Sequence, residues 1–330
     1  MRTTRVVSIA VPARQVAAWG PPTVAGMVDV DPAFSSFVRA VPPIGLTRRT
    51  LPLFRVGARL VGLVARPVDG VEVRDEVGDG ARVRMYRPKV GGTPAALLWI
   101  HGGGLVIGTA EQDEARASGI ARDLGVTVVS ARYRLAPEHP FPAAADDVHA
   151  AWHWLTLHAE RLGTDPARVV VAGESAGGGL AAGLAQRLRD EGGLQPVGQL
   201  LVYPMLDDRT AADRSLDRAR HPVWNNRSNL TGWSSYLAHE PGQASTPDYA
   251  VPARCDALSG LPPAWIGVGT ADLFLHECRD YARRLQAAGV PTQVEEVPGA
   301  PHGFDATTRP APSQAFRAAQ LEWLGDRLGV

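Results

Sequence analysis

The stretch RVVVAGESAGGGLAAG, residues 168–183, decides the fold. Val169, Val170, Val171 and Ala172 form a short apolar run, as expected of a strand buried on both faces of a sheet. From Ala176 onward small residues lead into AQRLRDEG, which reads as a helix. Between the two, Gly173-Glu174-Ser175-Ala176-Gly177 has G-x-S-x-G spacing. A serine at that centre stands on a tight strand-to-helix turn that lifts its hydroxyl above the sheet. Gly173 and Gly177 remove side chains that would collide across the turn. The helix N-terminus behind Ser175 favours developing negative charge. The pentapeptide alone can arise by chance in a glycine-rich chain. The strand before it and the helix after it make Ser175 a candidate nucleophile.

Working outward, VEVRDEV (71–77) and ARVRMYRP (81–88) alternate apolar and polar residues, with the turn GDG (78–80) between them. This predicts a hairpin of half-buried strands. AALLWIH (95–101) reads as a fully buried strand. A helix is expected over 111–124, a strand over TVVSARYR (127–134) and a helix over DDVHAAWHWLTLHAERL (146–162). Beyond the elbow, GQLLVYP (198–204), PAWIGVGTAD (263–272) and TQVEEVPG (292–299) continue the strands. HECRDYARRLQAAGV (276–290) and SQAFRAAQLEWLGDRL (313–328) continue the helices. Strands alternating with helices predict an α/β fold with a mainly parallel sheet, and ligands bind beyond the carboxyl ends of its strands. Two stretches break the rhythm, residues 1–65 and 206–250. They are expected to form a two-part helical cap over a core made of 66–205 and 251–330. There is no internal repeat.

His101-Gly102-Gly103-Gly104 follows the strand AALLWI. Three glycines let the backbone approach a substrate and turn its N–H groups inward, with the Ala176 N–H as a further donor to an oxyanion. His101 precedes the nucleophile and is read as orienting this loop. After such an elbow the acid comes next in the chain and the histidine last. Of His221, His239, His276 and His302, only His302 lies in a loop between a late strand and the last helix. His221 and His239 fall in the expected cap, and His276 starts a helix. Asp272 directly follows the strand AWIGVGTA. Asp280 lies within the next helix, and Asp305 follows His302 too closely to orient it. The candidate triad is therefore Ser175, His302 and Asp272, the last holding the imidazole in the right tautomer.

Five runs in order carry a family resemblance: HGGGLVIGT (101–109), YRLAPEHPFPAAADD (133–147), GESAGGGLAA (173–182), ADLFLHECRDYARRL (271–285) and PGAPHGF (298–304). From about residue 70 onward the chain resembles the hormone-sensitive-lipase-like carboxylesterases of the α/β-hydrolase fold. That resemblance implies carboxylester hydrolysis without a cofactor. It also implies that Gly103, Gly104 and Ala176 donate to the oxyanion. Glu174 stands where aspartate is commoner, and is read as a structural acid. Leu105 replaces an aromatic residue, which is expected to reshape the acyl or alcohol pocket. Pro137, Glu138 and Pro140 are read as fixing a tight turn. Trp224, Trp233 and Tyr236 of the expected cap are candidate pocket walls, and short- to medium-chain acyl esters the expected substrates. A lactonase, amidase or deacetylase with the same triad is the alternative, as is a non-catalytic binding protein on the same fold.

Composition narrows the partners. The chain has 330 residues, 45% hydrophobic, with 34 basic and 34 acidic residues, so no basic face for nucleic acid is expected. No apolar stretch of about 18 residues occurs, so no membrane span is expected. Pro12, Arg14 and Gln15 interrupt the N-terminal apolar residues, which argues against a signal peptide. Cys255 and Cys278 form neither a disulfide framework nor a zinc motif and are expected to be reduced thiols, which fits a cytoplasmic location. Without HExxH or a Cys/His cluster, no metal is expected. A homodimer through an edge strand or terminal helix is the expected assembly.

Overall fold

The computed structural model of the protein describes residues 28–41 and 45–330. Eight strands form one sheet: β1 (Val71–Gly78), β2 (Ala81–Pro88), β3 (Ala96–Ile100), β4 (Thr127–Ala131), β5 (Val169–Glu174), β6 (Gly198–Val202), β7 (Ala264–Gly269) and β8 (Thr292–Val297). Their order is β1-β2-β4-β3-β5-β6-β7-β8. β1–β2 and β2–β4 pair antiparallel, and every pair from β4–β3 to β7–β8 is parallel. The hairpin expected at GDG has Gly78 opposite Ala81, with Asp79 at φ 50° and Gly80 at φ 77°. That positive-φ pair matches the right-handed twist of the flanking strands.

Ten helices accompany the sheet among the described residues: α1 (Ser35–Ala40), α2 (Leu51–Val64), α3 (Glu114–Leu124), α4 (Ala143–Leu157), α5 (Ala159–Leu162), α6 (Ala176–Glu191), α7 (Asp208–Ala212), α8 (Asn226–Leu237), α9 (Leu275–Ala287) and α10 (Ala311–Leu328). The helix expected over 111–124 opens as a 3₁₀ turn, Ala110–Asp113. The one expected over 146–162 begins earlier, at Ala143, and breaks at His158. The strand expected over 127–134 ends at Ala131, because Ala131 is the last residue that pairs with β2. None of these helices is long and apolar enough to cross a membrane.

Helices on both faces explain the continuous apolar runs. β3, β4, β6 and β7 are buried along their whole length. Each fully buried Val, Leu or Ile contributes about 1.5–3 kcal/mol. The outer strands β1 and β8 are only partly buried. The register then sets where the site lies. Ile100 pairs with Gly173, Glu174 with Val202, and Gly269 with Val297. The loops after β3, β5, β6, β7 and β8 therefore leave the sheet along one edge, beside one another.

The N-terminal stretch and the 206–250 stretch meet above that edge. The Leu46 N–H donates to Ser228 Oγ at 3.0 Å, and Thr231 Oγ1 donates to the Leu46 carbonyl at 3.1 Å. Residues 1–27 and 42–44 of the expected N-terminal cap half lie outside the described residues. The 206–250 stretch holds α7, α8 and a 3₁₀ turn at Arg214–Arg218.

Candidate active site

Ser175 sits between β5 and α6 at φ 54°, ψ −120°. Non-glycine residues rarely hold such a backbone, and the surrounding bonds fix it. Its N–H donates to the Val202 carbonyl at 2.8 Å, and its carbonyl accepts from Met205 N–H at 2.9 Å and Gly179 N–H at 3.1 Å. Gly177 shows why the turn needs small residues: a Cβ there would lie 2.0 Å from the Ile100 carbonyl oxygen.

The structure brings Ser175, His302 and Asp272 together. His302 Nε2 lies 2.9 Å from Ser175 Oγ, and His302 Nδ1 lies 2.8 Å from Asp272 Oδ2. The other Asp272 oxygen accepts the Phe274 N–H at 2.9 Å. All three residues are buried. Tyr203 and Phe274 pack edge-on against the His302 ring. Ring orientation is thus set by two aromatic edges and one carboxylate. The other histidines stay apart from the serine. His276 is exposed, His239 Nδ1 lies 2.9 Å from the Glu240 carbonyl oxygen, and His221 Nδ1 lies 3.3 Å from that of Ala271.

The glycine loop leaves β3 beside the elbow. Gly103 has φ 125° and Gly104 φ 58°. The Gly103 carbonyl accepts from Val106 and Ile107 N–H, which folds the loop back on itself. Among the described residues no backbone acceptor takes the N–H of Gly103, Gly104 or Ala176. His101 is enclosed, with Nδ1 2.8 Å from the Gly102 carbonyl oxygen and its ring stacked 4.2 Å from Tyr133. Burial pushes its pKa down to about 4, so the imidazole is neutral and braces the loop.

A cleft of about 580 Å³ opens on these groups. Trp224 lines it, with its ring edge where a Gly104 Cβ would stand, 2.1 Å away. Trp233 and Tyr236 do not line it. They are buried beneath, 6.1 Å apart, with Tyr236 against Phe141. Their apolar rings are used for packing, which corrects the expectation of pocket walls. Leu105 is corrected likewise: it is buried outside the lining at φ 68°, and its carbonyl accepts the Ala136 N–H. Phe54, Leu46 and Val41 line the cleft instead. Nothing in the sequence signals that role, since their local pattern matches any short amphipathic piece.

One wall is charged. Arg116 Nη1 lies 3.1 Å from Glu174 Oε2 and 2.9 Å from Asp305 Oδ2, and its guanidinium sits 4.9 Å from the Trp99 ring. Tyr203 donates to Asp305 at 2.7 Å, and Trp99 Nε1 donates to Asp113 at 2.8 Å. Burial pushes Glu174 up to about 8 and raises Asp113 as well. Arg116 thus ties the residue before Ser175 to the loop after His302. Its place in a helix at 111–124 gives no hint of this, because Glu174 and Asp305 both lie far along the chain from it.

The fold and site together define a class, and comparison with known proteins agrees. Residues 97–306 match the family described as the alpha/beta hydrolase fold. Esterase LipI of Mycobacterium tuberculosis is 39% identical over 63% of this chain and 65% of its own length, so that match spans just under two thirds of the relative. Carboxylesterase NlhH of the same species is 37% identical over 86% of this chain and 91% of its own. The structure titled Bacterial Heroin Esterase superposes with a TM-score of 0.85 at 35% identity, covering 91% of this chain and 98% of that one. The chain belongs to the α/β-hydrolase family, in its hormone-sensitive-lipase-like branch.

Proposed function

We propose that the chain hydrolyses short- to medium-chain carboxylic esters through an acyl-enzyme formed on Ser175. The observation that carries this reading is the unbroken relay from Ser175 Oγ through His302 to Asp272, at 2.9 and 2.8 Å, on the floor of the cleft. With the imidazole proton on Nδ1, His302 donates to Asp272 and accepts the Ser175 proton at Nε2 as Oγ attacks the ester carbonyl. The N–H groups of Gly103, Gly104 and Ala176 hold the oxyanion, each donor lowering the barrier by about 3–4 kcal/mol. His302 then protonates the leaving alcohol. Water, activated by the same imidazole, releases the acid. Asp272 orients the imidazole and stabilises the imidazolium.

The walls support this substrate class. Val41, Leu46, Phe54 and Trp224 suit an apolar acyl or alcohol group, and the charged wall around Arg116 closes the other side. The described part of the N-terminal stretch, residues 28–41 and 45–65, and the 206–250 stretch act as two halves of a cap that limits chain length. With para-nitrophenyl butyrate, Ser175→Ala should lose at least about four orders of magnitude in kcat. Retained activity would place the nucleophile elsewhere. In a series of acyl lengths the rate should fall beyond roughly twelve carbons, and a rate that keeps rising past that length would overturn the short- to medium-chain reading.

A further inference from the structure

We propose that His149, His153 and Glu191 form a binding site for a divalent transition-metal ion, Zn²⁺ in the first instance, that clips α4 to the end of α6. His149 and His153 stand one helical turn apart on α4, and Glu191 is the last residue of α6. His149 Nε2 lies 2.7 Å from Glu191 Oε2 and 3.1 Å from His153 Nε2, and the three donor atoms fall within 4.8 Å of one another. The two imidazole planes cross at 80°. Three ligand atoms on two helices therefore converge on one point.

Hydrogen bonding alone serves this arrangement poorly. If the His149 Nε2 proton goes to Glu191, that nitrogen has no lone pair left to accept from His153. One ring N–H also cannot point along both contacts with good geometry. A cation removes the conflict, because every one of the three atoms then offers a lone pair. Tetrahedral zinc with bonds of about 2.0–2.1 Å spaces its ligands about 3.3–3.4 Å apart. The two sides at His149, 2.7 and 3.1 Å, open by a few tenths of an ångström to reach that spacing, and the third, within 4.8 Å, is set by rotation of the exposed His153 and Glu191 side chains. His153 and Glu191 are exposed, so a water can complete the coordination.

The surroundings prepare the ligands. Burial holds the His149 imidazole below its usual range, which favours the neutral form a metal needs. Against its partial burial, the contacts of Glu191 with His149 and Arg187 keep its carboxyl below the usual glutamate range. Arg187 Nε donates to the second Glu191 oxygen at 2.9 Å and is itself paired with Asp146 at 2.8 Å. That pair fixes the carboxylate's orientation, as outer partners of metal ligands do. Zinc uptake at Nε2 requires the neutral His149 ring to carry its proton on Nδ1, so the N–H contact to Glu191 is exchanged for a shared bond to the metal. HxxxH carries little meaning in the sequence, because the third ligand, Glu191, comes much later in the chain, on a different helix.

α6 starts beside Ser175 and spans 16 residues, so Glu191 sits about 24 Å along the helix from the elbow. The ion is therefore a staple between helices and takes no part in ester hydrolysis. The test is calorimetric titration of the chelator-treated full chain with ZnCl₂, alongside melting curves with and without Zn²⁺. The wild type should take up one Zn²⁺ per chain and melt higher with it. His153→Ala and Glu191→Gln should each lose about tenfold or more in affinity and lose the zinc-dependent rise in Tm. Both variants should keep wild-type turnover of para-nitrophenyl butyrate in the absence of metal. A wild type that takes up no Zn²⁺ overturns the proposal. So does equal uptake by the variants, which would put the ion elsewhere, or a zinc-dependent rise in Tm that both variants keep.

Discussion

Ser175, Asp272 and His302 leave the sheet after β5, β7 and β8, whereas the surface facing them comes from α2, the chain before it and the loop carrying Trp224. The first region is held by the sheet ladder and by buried polar partners on every side. The second hangs on a few side-chain contacts. Leu46 is tied to Ser228 and Thr231, and Arg55 reaches Glu138, Ala136 and Val106. α2 also leaves Leu53, Val56, Leu60, Leu63 and Val64 exposed, while β3, β4, β6 and β7 below are buried throughout. A region pinned by many short-range constraints can keep reacting atoms within tenths of an ångström. A region pinned by few can change its shape without disturbing them. On the proposed function, the chemistry of this cleft belongs to the floor and the selectivity to the roof.

The largest break should come from the floor. Asp272→Asn leaves the shape intact but favours the wrong imidazole tautomer, and kcat for para-nitrophenyl butyrate should fall about 10⁴-fold. A fall of less than tenfold would show that Asp272 does not orient His302. Next comes the place where the two regions touch. In Gly104→Ala the new Cβ meets Trp224 at a backbone position with φ 58°, and kcat should drop about 10²- to 10³-fold as an oxyanion donor shifts. Adding Trp224→Ala should restore part of that rate and move the acyl-chain optimum to longer esters. No recovery in the double variant would assign the whole loss to backbone strain.

The smallest effect is on stability and concerns the charged wall. Burial raises Glu174 from 4.5 to about 8, so the native protein keeps a proton that the unfolded chain releases. That contribution is fully present below the ordinary glutamate value and is lost as pH rises through about 8. Asp113 is shifted in the same direction. Glu174→Gln should therefore show a flatter dependence of urea midpoint on pH between about 5 and about 8.5. An unchanged slope would mean that Glu174 is ionised in the folded protein.

Much of the floor was legible because its signals are local. A buried strand needs a run such as VVVA. A left-handed turn at Ser175 beside a close backbone approach needs Gly177, and a loop of free N–H groups needs glycines. These requirements hold whatever the rest of the chain does. The Arg116 cluster was not legible, because an arginine on a helix looks the same whether its partner is solvent or an aspartate near the other end of the chain. Nor were Trp233 and Tyr236 separable from Trp224: an aromatic in an irregular segment serves packing or a pocket equally well until the neighbours are known.

The sequence by itself determined the strand–helix rhythm, the elbow around Ser175, the glycine loop and the order of Ser175, Asp272 and His302. Each depends on backbone conformations or apolar periodicities that only certain residues permit. Tertiary structure alone decided which aromatics face the cleft, which charges surround the elbow, and that His149 and His153 meet Glu191. Those are contacts between side chains far apart in the chain, and their energies depend on burial and distance, which no local pattern encodes.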